Sequence, residues 1–278
     1  MSELPTVRAM LEREGLWADK RLGQHFLLDL NVTRRIARLA AFAPGATVIE
    51  VGPGPGGLTR ALLEGGAGRV IAIEKDDRFL PILRDIAAWS DGRLEIVHAD
   101  ALSVDEAALV GADEAAIVSN LPYNVGTPLL VKWLKAGAWR GPMTLMFQKE
   151  VAERIAAAPA SSAYGRLAVA AQAVCAAQIV MNVPAAAFTP PPKVDSAVVR
   201  LADRTDRFDD LEALETITAA AFGQRRKMLR SALAGLGDAE GLLAAAGIAP
   251  TARAETVPVA RFLDMARAWR ARKTKCLP

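Results

Sequence analysis

Apolar positions along this chain come in short unbroken runs, and polar residues gather between them. Thr47 to Val51, Val70 to Ile73, Leu94 to Val97, Ala116 to Ser119 and Met143 to Phe147 are β-rich. Between them lie stretches of helical length such as Leu58 to Glu64 and Pro128 to Ala136. Apolar runs without polar alternation fit strands buried on both faces, and alternation of strand with helix predicts a parallel sheet covered on both sides. Ahead of them, the segment up to Phe42 reads as a loop and a helix, with Asp29 or Asn31 capping the Val32 to Leu39 run. Ser196 to Leu201, which follows the prolines at 190 to 192, is expected as a closing edge strand. Beyond Asp203 the strand signal stops. Leu211 to Leu233, Ala239 to Ala246 and Val259 to Ala271 read as helices punctuated by Gly235, Gly237, Gly247, Pro250 and Pro258. The expected organisation is an α/β domain over 1–203 and a small helical domain over 204–278.

Composition narrows the class. With 278 residues, 52% of them hydrophobic, the chain can bury a substantial core. The Ala-rich stretch Leu167 to Met181 is too short to cross a bilayer and carries Gln172 and Gln178, so no membrane span is expected. The first residues carry Glu3, Glu12 and Glu14 where a secretory signal needs a basic start, which points to the cytoplasm. Cys175 and Cys276 are far apart, and the only histidines are His25 and His98. No disulfide and no metal site are therefore expected. No coiled-coil heptad runs through the sequence, in keeping with a monomer. Net charge is only +3, but 13 Lys or Arg face 9 Asp or Glu from Arg204 onward, against 21 and 22 before it. The basic excess of the tail suits a polyanion, although a solvated helix face would look the same.

The string VIEVGPGPGGLTRALL begins as a buried strand, turns through Gly52, Gly54, Gly56 and Gly57, and becomes a helix near Leu58. Glycines there let the backbone approach a ligand closely. Gly52, Gly54 and Gly57 also satisfy a dinucleotide fingerprint, so a nicotinamide cofactor is one reading. Glu74 ends the next strand and is spaced to accept both ribose hydroxyls of an adenosine-containing ligand. Asp100 follows the strand EIVHAD, where it could meet the exocyclic amine of that ligand's adenine.

The fourth strand, AAIVSN, runs into Asn120, Leu121, Pro122 and Tyr123. An adenine N6 amine is a poor nucleophile because its lone pair is delocalised into the ring. The Asn120 amide oxygen and the Leu121 main-chain oxygen can each accept one of its N–H bonds and aim the lone pair at a sulfonium methyl. Pro122 stiffens the turn, and Tyr123 offers a flat face for an extruded base, a contact of about 1–3 kcal/mol in comparable sites. A dehydrogenase would have no use for this turn.

The sequence resembles the small-subunit rRNA adenine N6,N6-dimethyltransferase family. The likeness runs through KRLGQHFLLD (Lys20 to Asp29), VIEVGPGPGGLT, VIAIEKD, IVSNLPYNVGTPLL, TLMFQKEVAERI, SSAYGRLAV, VPAAAFTPPPKVDSAVVRL and AFGQRRKMLRSAL, which cover most of the chain in order. It implies a Rossmann-like class I methyltransferase domain, S-adenosylmethionine as donor and no metal. It implies donor contacts at His25, Leu27, Gly52, Glu74, Asp100 and Asn120, with His25 standing where the family commonly has Asn. It further implies that Phe188 packs on the target base opposite Tyr123. The implied target is two adjacent adenosines in a hairpin loop near the 3′ end of 16S rRNA, within the small ribosomal subunit or its precursor. On that footing Arg225, Arg226, Lys227 and Arg230, taken as partly sharing one helix face, read as an rRNA clamp. The rivals are a large-subunit rRNA adenine methyltransferase of the macrolide-resistance type, a DNA adenine methyltransferase, and an assembly factor acting mainly by binding.

Overall fold

The computed structural model describes residues 4–17, 24–224 and 226–275. It divides into two compact units, Met1–Ala152 with Gln178–Ala202, and Glu153–Ala177 with Asp203–Pro278.

The first unit is built on a sheet whose strands are β2 (Thr47–Val51), β3 (Arg69–Glu74), β4 (Leu94–His98), β5 (Ala115–Asn120), β6 (Arg140–Gln148), β7 (Cys175–Val183) and β9 (Ser196–Asp203). Their order is β4-β3-β2-β5-β6-β9-β7. β2 through β6 run parallel, and β9 lies antiparallel to β6, with Gln148 opposite Ser196. Two further strands, β1 (Phe26–Leu27) and β8 (Phe188–Thr189), form an antiparallel ribbon in which Leu27 faces Phe188. Helices α1 (Val7–Arg13), α2 (Leu30–Ala40), α3 (Gly57–Glu64) and α4 (Leu80–Trp89) pack on one face of the sheet, where Met10, Ile36, Leu62 and Ile86 share a core with Val48, Val70 and Val118. Side chains alternate along a strand, so Ile49, Ile71 and Ile117, equally buried, occupy the other face. Helices α5 (Glu106–Val110) and α6 (Gly126–Leu134) follow β4 and β5. Burial of both faces explains why these strands read as unbroken apolar runs.

Helix starts follow from their caps. Asp29 accepts a hydrogen bond from the Asn31 amide at 2.8 Å to open α2, and Asp105 does the same for α5 through the Ala108 amide at 3.2 Å.

Helix α7 (Lys149–Ile155) leads out of the first unit. The second unit contains α8 (Arg166–Val174), α9 (Leu211–Gly223), α10 (Leu229–Ala232), α11 (Ala239–Ala245) and α12 (Val259–Lys275). Its core includes Leu214, Ile217, Leu242, Leu243, Phe262 and Met265, and Phe222 meets the rings of both Tyr164 and Phe262. The Tyr164 hydroxyl donates to the Val257 carbonyl at 2.9 Å, and Arg270 grips Asp210, the α9 cap, at 2.6 and 2.7 Å. That guanidinium holds the Asp210 carboxyl below its usual range.

Four sequence expectations need correction. Residues 153–177, assigned to the first domain, group with the tail because α8 packs against α9 and α12. The Ala-rich stretch hides a helix-to-strand change at Cys175, so β7 was missed. With β7 outside it, β9 is an interior strand and not the edge. The run from Leu211 to Leu233 is not one helix, since α9 stops at Gly223 and helix resumes only at Leu229.

Candidate active site

The strand order reverses between β2 and β5, and α/β sheets bind ligands beyond the carboxyl ends of the strands at such a switch point. Gly52 follows β2 and Asn120 ends β5. Their strand ends are locked together, because the buried Ser119 hydroxyl donates to the Val51 carbonyl at 2.6 Å. The Gly52 amide in turn donates to the Ile73 carbonyl at 2.9 Å.

Above this point opens a cleft enclosing about 850 Å³ of space, part of it open to solvent. His25, Leu27, Gly52, Glu74, Asn120, Leu121, Pro122, Tyr123 and Phe188 all line it. Two glycines shape its floor. Gly52 has φ +65°, and a Cβ there would lie 3.2 Å from Pro122 Cγ. At Gly57 a Cβ would come within 2.9 Å of the Leu27 carbonyl, so the start of α3 can touch β1 only as glycine. The segment after β2 is thereby pressed against both the Asn-Leu-Pro-Tyr turn and the N-terminal ribbon.

Glu74 is 6% exposed and receives two backbone donors, Gly54 N–H at 2.9 Å and Asp76 N–H at 2.8 Å. Burial raises its pKa, and those two hydrogen bonds oppose the rise. The carboxylate is thus aimed and partly satisfied before any ligand arrives. Asp76 is held by Arg78 and by Gln24 Nε2 at 2.9 Å, which lower its pKa.

Tyr123 is half-buried, and its hydroxyl lies 2.9 Å from Ser196 Oγ. The His25 ring stands 6.1 Å from the Tyr123 ring, tilted by 31°. His25 Nδ1 is 2.7 Å from the Pro190 carbonyl. A carbonyl can only accept, so His25 Nδ1 is the donor in this contact and Nε2 is the ring's other polar atom. Phe188, 3% exposed, belongs to the core cluster and lines the cleft as well.

Asp100 is not among the residues lining the cleft. It pairs with Lys75 Nζ at 2.8 Å and accepts the Leu102 amide at 3.0 Å. Arg225 lies outside the described residues. Arg226 and Lys227 sit in the turn before α10 and Arg230 within it, all three exposed, so the expected shared helix face does not form. None of the three pairs with an acid among the described residues.

Residues not singled out from sequence also line the cleft, notably Gln24, Thr33, Glu50 and Phe79. Glu50 is 2% exposed, accepts the Thr59 hydroxyl at 2.6 Å, and is pushed by burial up to about 8. Its signal in the sequence is a lone acid inside the apolar strand TVIEV.

A glycine-floored cleft at the switch point, an acid at the end of β3 and the Asn-Leu-Pro-Tyr turn at the end of β5 define a class I methyltransferase. The fold agrees. A dimethyladenosine transferase from Plasmodium falciparum superimposes with a TM-score of 0.77 at 24% identity, covering 90% of this chain and 98% of that one. The 23S rRNA methyltransferase ErmE matches with a TM-score of 0.69 at 27% identity over 88% of this chain and 99% of its own. Residues 16–270 match the family model described as ribosomal RNA adenine dimethylase, and the chain belongs to that family. It is 63% identical over 276 residues to the ribosomal RNA small subunit methyltransferase A of Phenylobacterium zucineum, covering 98% of this chain and 95% of the relative. The protein of the same description from Caulobacter vibrioides is 62% identical over 253 residues, 90% and 97% of the two chains.

Proposed function

We propose that the protein transfers methyl groups from S-adenosylmethionine to N6 of two adjacent adenosines in a hairpin loop near the 3′ end of small-subunit rRNA. The observation that carries this reading is the placement of Asn120 beside Gly52, which brings an amine-orienting turn and a nucleoside-binding glycine segment into one cleft. The relatives described as small subunit methyltransferases, at 63% and 62% identity, favour the small subunit over the large.

The donor supplies an electrophilic methyl on a sulfonium. Glu74, with its carboxylate pre-aimed by the amides of Gly54 and Asp76, accepts the donor's ribose hydroxyls. Gly52 and Leu27 offer close-approaching backbone, and His25 offers a polar ring atom to the same ligand. Asp100 contacts the donor's adenine, which requires one of its oxygens to serve the ligand beside the existing pairing with Lys75.

Asn120 and Leu121 present carbonyl oxygens to the two N–H bonds of the target amine, favouring a more tetrahedral nitrogen. Pro122 holds that turn. Tyr123 and Phe188 sandwich the base, whose loop position keeps the cost of extrusion low. No strong base is required, because transfer neutralises the sulfonium and the alkylated amine loses its proton readily.

The second unit, with Arg225, Arg226, Lys227 and Arg230, contacts rRNA phosphates. Among the described residues no helix is long and apolar enough to cross a membrane, and the protein acts as a cytoplasmic monomer in this reading. Labelled S-adenosylmethionine offered with undermethylated small subunits, large subunits and duplex DNA, followed by nucleoside analysis, tests it. Dimethyladenosine from small subunits alone is expected. Label in large-subunit rRNA or DNA would reassign the substrate.

A further inference from the structure

The motif F-T-P-P-P-K-V-D-S ends in two residues that the reaction does not use directly, and both are tied to the cleft. Ser196 is fully buried at the first position of β9, opposite Gln148 of β6. Its hydroxyl lies 2.9 Å from the Tyr123 hydroxyl. The preceding Asp195 accepts the Ala185 amide on its side chain at 2.9 Å and the Lys149 amide on its carbonyl at 2.9 Å. The Ala185 bond closes the loop that carries Phe188, and the Lys149 bond fastens that closure to the end of β6.

Each proposed wall of the base site is therefore referred to the same dipeptide. Phe188 is placed by its pairing with Leu27 and by a loop whose two ends meet at Asp195. Tyr123 is placed at its backbone by the turn in which Val125 and Gly126 donate to the Pro122 carbonyl, and at its far end by Ser196. A half-buried phenol held at only one end would be free to rotate about its side-chain torsions. A second fixed point leaves one direction for the long axis of the ring.

We propose that Ser196 is a positioning residue for methyl transfer. By bonding the Tyr123 hydroxyl it holds the long axis of the Tyr123 ring in the direction, and so at the distance from Phe188, that admits a purine. This rests on the stacking role proposed above for Tyr123. Ser196 touches neither donor nor base and acts through the tyrosine, so loss of the bond acts on the acceptor side of the reaction and spares donor binding.

The test compares Ser196→Ala, Tyr123→Phe and the double variant with the unaltered protein. Methyl transfer to undermethylated small subunits, donor dissociation constant and urea midpoint are measured for each. The expected result is a loss of about three- to tenfold in kcat/KM toward subunits for each single variant, the size of one lost hydrogen bond. The double variant falls no further than either single one, because both remove the same bond. Donor dissociation stays within about twofold. If Ser196→Ala does not fold, Tyr123→Phe deletes the same bond from its half-buried end and is read alone. Wild-type turnover in Tyr123→Phe, losses that multiply in the double variant, or an equal loss of donor affinity would overturn the proposal. With Tyr123→Ala inactive, those outcomes leave the stacking role standing. Absence of dimethyladenosine from the unaltered protein would remove both.

Discussion

Gly52 faces Pro122 at φ +65°, and a Cβ on it would lie only 3.2 Å from the proline ring. The segment after β2 and the Asn-Leu-Pro-Tyr turn thus approach each other at a position that has no room for a side chain. Gly52→Ala meets both an unfavourable backbone conformation and that close approach, together about 1–3 kcal/mol of stability. The urea midpoint should drop and calorimetric titration should show weaker S-adenosylmethionine binding. An alanine variant with unaltered midpoint and affinity would contradict this packing.

Asn120→Ala separates binding from chemistry. The side chain's proposed work is to hold the amine nitrogen in line, so the variant should bind the donor only modestly worse and lose nearly all transfer. Labelled donor and small subunits measure the second effect, and equilibrium dialysis the first. Unchanged turnover would sink the mechanism.

Glu50 predicts a pH dependence of stability. Burial raises its folded pKa from 4.5 to about 8, so the folded protein keeps a proton that the unfolded chain releases. Stability from this group is complete below the unfolded pKa and declines as pH rises through the window up to about 8, by at most about 1.4 kcal/mol per pH unit. Glu50→Gln keeps the shape without the proton linkage. Its unfolding free energy should vary less between pH 5 and pH 8 (roughly the titration window) than that of the unaltered protein. Parallel slopes for the two proteins would show that Glu50 does not carry the linkage.

Reversing charge at Arg225 and Arg226 should weaken binding to small subunits and flatten its dependence on salt, leaving donor affinity unchanged. The measurement is a filter-binding series across ionic strength. An unaltered salt slope would return these residues to the status of a solvated surface.

The parallel strands could be read from sequence because burial on both faces leaves an uninterrupted apolar run, and β2 matches its expected range residue for residue. β7 could not, since Cys175–Val183 is largely half-exposed and continues the alanine-rich composition of α8 without a turn residue. The helix read from Leu211 to Leu233 failed for the opposite reason. Apolar residues resume at Met228, Leu229 and Leu233 after a polar stretch that could belong to a helix, while the backbone at Gln224 leaves the helical conformation. Within the site, the glycine segment, Glu74 and the Asn-Leu-Pro-Tyr turn were legible because their chemistry is local. Glu50 stood out only as a charge in a strand, and Ser196 was legible as the start of a strand but not as a partner of Tyr123, which is 73 positions away.

The pairing of Leu27 with Phe188 also bears on how the molecule comes into being. One side of the cleft is synthesised near the start of translation, yet its partner strand follows only after β7 has been made. Throughout that interval the glycine segment and the Asn-Leu-Pro-Tyr turn can exist without their roof. On the proposed reading, a growing polypeptide therefore acquires its second ring wall only late in its own synthesis, and a fragment ending before Phe188 would carry every residue of the Asn-Leu-Pro-Tyr turn without that wall.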